Sequence, residues 1–148
     1  MGNAVWDFSQ VAASLGPIDI SSIGGFAEGS VIKYVHDDAW FGVKKGADGS
    51  VTRYRIPASV AKITFTLAQS SIVNDLLSAR LISDHNTPGG SGIGAFLLKD
   101  LGGTTLVSAA HAFIEAPPQA EFGVEVGDRE WSIVLMDAQP FFGGNTPI

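Results

Sequence analysis

The sequence predicts a mainly antiparallel β fold of the sandwich or barrel class with one flanking α-helix. Two patterns carry that prediction. Most of the chain falls into short runs of β-branched, aromatic and alternating apolar residues, separated by Gly, Pro and Asp-Gly turn signals. Only one stretch, from about Ser70 to Asp84, repeats apolar residues at helical spacing. Composition agrees: 18 Gly and 7 Pro supply the turns, and 45% hydrophobic against 16% charged residues excludes a disordered chain. A length of 148 residues suits one domain, 1–148, with a core of its own.

Taken in order, residues 1–17 have no clear period and end in Leu15-Gly16-Pro17, which predicts an N-terminal arm rather than a packed element. Ile18 to Ser21 alternates, and Gly24-Gly25 interrupts the chain. Val31 to His36 predicts a strand, paired with Ala39 to Val43 through Asp37-Asp38. Lys44 to Ser50 is a turn in which Asp48-Gly49 tolerates positive φ, joining Ala39–Val43 to Val51–Ile56 as a prominent hairpin. Pro57 ends that run. Between 59 and 68, Ile63, Phe65 and Leu67 lie on one face and Lys62, Thr64 and Thr66 on the other, a strand with one buried side.

The helix carries Ser70 or Ser71 as its cap, Asp75 in its N-terminal half and Arg80 toward its C-terminal half, each on the side that the helix dipole favours. Ile72, Leu76, Ala79 and Val73, Leu77, Leu81 form its apolar stripe, and His85 to Gly90 stops it. Gly94–Lys99 and Thr104–Glu115 predict a hairpin about Asp100 to Gly103, and Pro117-Pro118 ends its second strand. Arg129–Ala138 is the last strand, with Trp131, Ile133 and Leu135 on one face. Residues 139–148 predict a C-terminal arm.

Little here carries catalytic chemistry. With no Cys, disulfide, thiolate and Cys-based zinc chemistry are excluded. His36, His85 and His111 lack the reinforcing spacing of metal ligands, so no metal or cofactor is expected. Ser91 has Gly89 two residues before it but Ile93 two residues after, which fails the nucleophile elbow. Glu121/Glu125 and Asp128/Glu130 are expected to be solvated charge. No apolar run approaches the ~20 residues of a membrane-spanning helix, and the N-terminus lacks a basic leader region. The expectation is a chain made in the cytoplasm without a membrane span.

Charge is the more informative property. The net value of −6 argues against a duplex-gripping protein. It is also unevenly spread: residues 1–29 carry −3, residues 30–62 carry +3 and residues 63–148 carry −6. A low charged fraction suits a surface partly covered by other subunits, and the asymmetry suits a basic part that meets the acidic part of a neighbour.

Several stretches together resemble a known family. They are Ile23-Gly24-Gly25-Phe26-Ala27-Glu28-Gly29-Ser30, the hairpin Gly46 to Arg53, Ile63 to Ser71 leading through Asn74-Asp75 to Leu77-Ser78, Asp100 to Leu106, Arg129-Glu130-Trp131 and Gly143-Gly144-Asn145. In order and spacing, over about residues 16–145, the chain resembles the inner tail tube proteins of contractile-tailed bacteriophages. These are related in fold to the tube proteins of type VI secretion and phage-like injection systems. The resemblance implies a non-enzymatic virion protein: hexameric rings share a continuous inner β-barrel and stack into a hollow tube that conducts the genome into the host cell. A barrel of many strands leaves a channel. Implied partners are further copies of the chain, the tail sheath, baseplate and tail terminator proteins, and the tape measure protein followed by DNA in the lumen without sequence-specific binding. The implied location is the virion tail, assembled in the host bacterial cytoplasm.

On that basis the hairpin residues Lys44, Lys45, Asp48, Arg53 and Arg55 are expected to make ring-to-ring contacts, and Trp6, Phe141 and Phe142 to anchor the arms on neighbouring subunits. A net acidic subunit suits a lumen that repels DNA rather than gripping it. The alternatives are the tube subunit of a secretion or injection system with protein cargo, and a monomeric ligand-binding β-barrel.

Overall fold

The computed structural model describes residues 3–4, 6–20 and 32–145. The Ile23–Ser30 stretch, with Gly24-Gly25, and the extreme ends of both expected arms therefore lie outside the described residues. A 3-10 turn at Phe8–Gln10 precedes ten strands and one helix: β1 Val11–Leu15, β2 Ile18–Asp19, β3 Lys33–His36, β4 Phe41–Lys45, β5 Val51–Arg55, β6 Ala61–Ala68, α1 Val73–Asn86, β7 Gly94–Asp100, β8 Leu106–Ile114, β9 Asp128–Leu135 and β10 Gln139–Phe141. The fold is mainly antiparallel β with one helix, as the sequence predicts. Eight strands form a single sheet in the order β2-β1-β7-β8-β9-β6-β3, with β10 also on β8, while β4 and β5 form a separate ribbon.

The central pairs follow from period-two patterning. Ala61, Ile63, Phe65 and Leu67 of β6 are buried, and their register partners Leu135, Ile133, Trp131 and Arg129 on β9 are buried beside them. One face of this antiparallel pair therefore makes the core, and a register slip of one residue would turn all of it to solvent. Phe96 of β7, Val107, Ala109, Ala112 and Ile114 of β8, and Val73 and Leu77 of α1 complete that core.

The helix starts later than its apolar residues suggest. Ile72 occupies the N-cap position and makes no side-chain cap. Ser71 supplies the cap from one position earlier, its Oγ accepting the Val73 N–H at 3.3 Å. Thr87 is extended at the C-terminus, as a residue before proline prefers. Of the two expected apolar rows only one is internal. Val73 and Leu77 are buried and Leu81 packs against the core, whereas Ile72 and Leu76 are exposed. Asn74 ties the helix to the sheet. Its Nδ2 donates to the Ala68 carbonyl at 2.8 Å, and its Oδ1 accepts the indole N–H of the buried Trp131 at 2.9 Å.

Three expectations are corrected. Within the expected arm 1–17, residues Val11–Leu15 form β1, packed along β7 with Leu15 opposite Phe96 and Ala13 opposite Leu98. Gly16, at φ +56°, turns the chain into β2. Ala and Ser are weak strand formers, so this strand is set by the neighbour it packs on rather than by its own pattern. Second, Ala39–Val43 does not pair with β3. The Asp37 N–H stays on the Val60 carbonyl, and β3 pairs with β6. A two-residue hairpin turn needs positive φ, and no described residue other than glycine has it.

Third, the first part of the expected arm 139–148 lies along its own subunit. β10 pairs with β8. Beyond it the Thr104 N–H donates to the Gly144 carbonyl, and Asn145 Nδ2 donates to the buried Asp100 at 2.9 Å. β9 and β10 thus share one edge of β8, and Asp137 fills the gap between them. Its Oδ1 accepts the His111 N–H and its Oδ2 pairs with His111 Nδ1, both at 3.0 Å.

Replacing Asn74 with Ala leaves a buried indole N–H without an acceptor. Urea unfolding should show a loss of about 1–3 kcal/mol, partly recovered when Trp131→Phe removes the orphaned donor. The hydrogen bonds to His111 hold the Asp137 carboxyl below its usual pKa. A carboxyl depressed on folding stabilises the fold above the usual carboxylate range and loses that contribution as pH falls through the depressed value. Asp137→Ala should cost about 1 kcal/mol at neutral pH. Its unfolding midpoint should also fall less on acidification than that of the parent chain.

Candidate functional site

The hairpin stands apart from the sheet and is wet on both faces. Every residue of β4 and β5 is exposed except Gly42, which is half-buried. Its turn is locally specified. Gly49 has φ +87°, the Gly46 N–H donates to the Ser50 carbonyl at 2.7 Å, and Asp48 Oδ1 accepts the Ser50 N–H at 3.1 Å. The hydrogen bonds from Ser50 hold the Asp48 carboxyl below its usual pKa. Asp48 therefore shapes the turn.

Register sorts the ribbon's chemistry. Phe41 faces Arg55, Val43 faces Arg53 and Lys45 faces Val51, so these six side chains share one face. Lys44 lies opposite Thr52, and Gly42 opposite Tyr54, on the other. The first face combines exposed Phe41, Val43 and Val51 (47%, 62% and 63%) with three cations. The Arg53 guanidinium lies 3.9 Å above the centre of the Phe41 ring, a cation–π contact that holds the charge over the apolar row. The ribbon is thus an apolar strip bordered by positive charge. The structure brings Lys45, Arg53 and Arg55 together on this face, with Lys44 on the reverse side and Asp48 in the turn.

The other expected residues lie elsewhere. Phe141 and Phe142 are both exposed, although their backbone is fastened to β8 and its turn. Phe141 sits opposite Leu106, and Phe142 meets Tyr34 edge-on at 5.3 Å. Trp6 is 61% exposed and borders a groove of about 480 Å³ with Phe8, Val11, Ile32 and Leu98.

Two surfaces were not singled out by sequence reasoning. The outer side of α1 presents exposed Ile72, Leu76 and Ile82. The loop between β8 and β9 presents Phe122, Val124 and Val126 at 84%, 106% and 71% exposure. The second is legible in the sequence as Glu121-Phe122-Gly123-Val124-Glu125-Val126, an alternating strand-like pattern hidden by its place between Pro118 and the start of β9.

No protein-family model matches the chain. Over 127 residues it is 30% identical to Structural protein ORF10 of Pseudomonas phage KPP10, an alignment that takes in 86% of this chain and 73% of that protein. The chain belongs to this family of phage structural proteins. Among solved structures, this chain has the fold of the anti-feeding prophage cap, a tube-terminating cap. The TM-score is 0.57 at 8% identity, covering 91% of this chain and 89% of that one. At that identity the likeness is one of fold alone.

Because a side chain at Gly49 meets nothing within 4 Å, its replacement by Val tests the backbone alone. A β-branched residue at φ +87° should weaken the turn by about 1–2 kcal/mol. Hydrogen exchange should then quicken across β4 and β5 of the phage structural protein, while its global unfolding midpoint stays within error of the parent's.

Proposed function

We propose that this protein is the subunit of a phage tail tube, forming hexameric rings that stack into a hollow channel for the genome. The observation that carries the reading is the ribbon β4–β5, whose apolar and cationic face is exposed among the described residues. Such a face is suited to another copy of a subunit whose remaining charge is acidic. Membership of a phage structural family and a fold shared with a tube-terminating cap support the reading. Tail sheath, baseplate, terminator and tape measure proteins are its proposed partners in the virion tail, and Phe141, Phe142 and Trp6 its proposed contacts between neighbouring subunits.

Conduction in this reading needs no chemistry. The open side of the central sheet carries Thr64 opposite Ser132 and Thr66 opposite Glu130. Lys62 on the same side is paired with Glu115 at 2.8 Å, which holds its pKa above the usual lysine range. Lys33, opposite Thr64, and Lys99, beside Leu106 and Ala12, are the described cations on that side without such a pairing. A lining of hydroxyls in which these lysines are offset by Glu115, Asp128 and Glu130 gives a polyanion little to grip and leaves it free to slide.

The fold's likeness to a tube-terminating cap favours a second reading, a ring that ends a tube rather than one that extends it. Negative-stain microscopy of the concentrated, untagged protein separates the two. Hollow tubes of variable length are expected for the tube subunit, single rings that bind tube ends for a cap, and dispersed monomers would overturn both. Lys44→Glu with Lys45→Glu should abolish stacking while the unfolding midpoint remains within about 0.5 kcal/mol of the parent's, as surface substitutions do. Unimpaired tube growth in that variant would remove these lysines from the contact.

A further inference from the structure

We infer that the loop between β8 and β9 of a second copy, residues 119–126, adds as a third strand to the ribbon β4–β5. This rests on the proposed self-assembly of the subunit and names the segment that the ribbon receives.

Two features, far apart in sequence, call for each other. A two-stranded ribbon on its own is marginal in water, and a third strand with an apolar face is what gives such a sheet stability. The ribbon β4–β5 is such a unit: its apolar row of Phe41, Val43 and Val51 is exposed, and among the described residues β4 and β5 pair with each other alone. Strand edges of this kind are templates for another extended chain.

The loop is the matching half. Phe122, Val124 and Val126 alternate with polar or small residues, so an extended backbone would place all three on one face. They are among the most exposed large apolar side chains in the molecule. The loop carries Glu121 and Glu125 without any basic residue between 119 and 126. The ribbon carries Lys44, Lys45, Arg53 and Arg55 against the single Asp48 of its turn. Apolar row therefore meets apolar row on the face that also carries Lys45, Arg53 and Arg55, while Glu121 and Glu125 fall on the reverse face, where Lys44 lies. Strand addition of this kind takes its affinity from main-chain hydrogen bonds and its specificity from alternate side chains. Within the subunit the contact must accommodate the Arg129 guanidinium, 5.3 Å from the centre of the Phe122 ring.

The chain has no cysteine, which makes the test direct. Val43→Cys and Val124→Cys are made in separate proteins, mixed at assembling concentration and treated with a short bifunctional maleimide. Cross-linked heterodimers from the mixture are expected, at least about tenfold above either variant alone. Glu121→Lys with Glu125→Lys should lower that yield about tenfold, and adding Lys44→Glu to the other partner should recover part of it, since like charges across an interface are strongly disfavoured. Rings or tubes that form without this cross-link would overturn the inference and leave the tube reading standing. Cross-linked pairs that never build rings or tubes would support the contact and overturn the tube reading. Neither cross-link nor assembly would overturn both.

Discussion

The arrangement of this subunit follows from a shortage of cover. An eight-stranded sheet has two faces, and the described residues provide one α-helix. The buried side takes most of the large apolar residues of β6, β7, β8 and β9, together with Leu77 and Val73 of α1 and Leu15 of β1. Each such side chain contributes roughly 1.5–3 kcal/mol on leaving water. Many of the other apolar residues stay exposed, and three groups of them lie together: in the ribbon, along the outer row of α1 and in the loop before β9. Exposed apolar surface gathered in this way marks contact sites rather than incidental surface.

Polar groups at the edges of that core serve the same end. Asn74 satisfies the indole of Trp131 and the carbonyl of Ala68, so one amide fixes the helix to two adjacent strands. Asp100 accepts from the Gly102 N–H and from Asn145, joining the β7–β8 turn to the C-terminal segment. Asp137 bridges the step from β9 to β10. These three side chains anchor the segments that leave the sheet, which is why Phe141 and Phe142 are displayed at fixed positions on the subunit.

How much of this was legible in the sequence depended on where the determining partner lay. β6 and β9 were readable because each buries alternate residues along its own length. The hairpin was readable because Asp48-Gly49 sets its turn locally. β1 was not, since Val11-Ala12-Ala13-Ser14-Leu15 becomes a strand only against Phe96 and Leu98. β10 was hidden likewise, its pairing with β8 depending on Asp137 and on the Gly143–Asn145 segment rather than on its own residues. The pairing expected for Ala39–Val43 failed because two strands competed for β3, and β6 offered the longer and better-buried ladder. For the candidate contacts, charge and exposure were visible at Lys44, Lys45, Arg53 and Arg55. The strand-like pattern at Phe122–Val126 was passed over because prolines and glycines surround it.

Separation of the ribbon from the core also bears on how this family can change. Side chains on β4 and β5 contribute little to the folding of the sheet, so substitutions there are not filtered by loss of the fold. The buried alternation of β6 and β9 tolerates far less. A lineage can therefore alter what its subunits attach to, and how tightly, while the scaffold that presents the ribbon persists. That division of labour is one physical route by which a shared architecture can persist at 8% sequence identity.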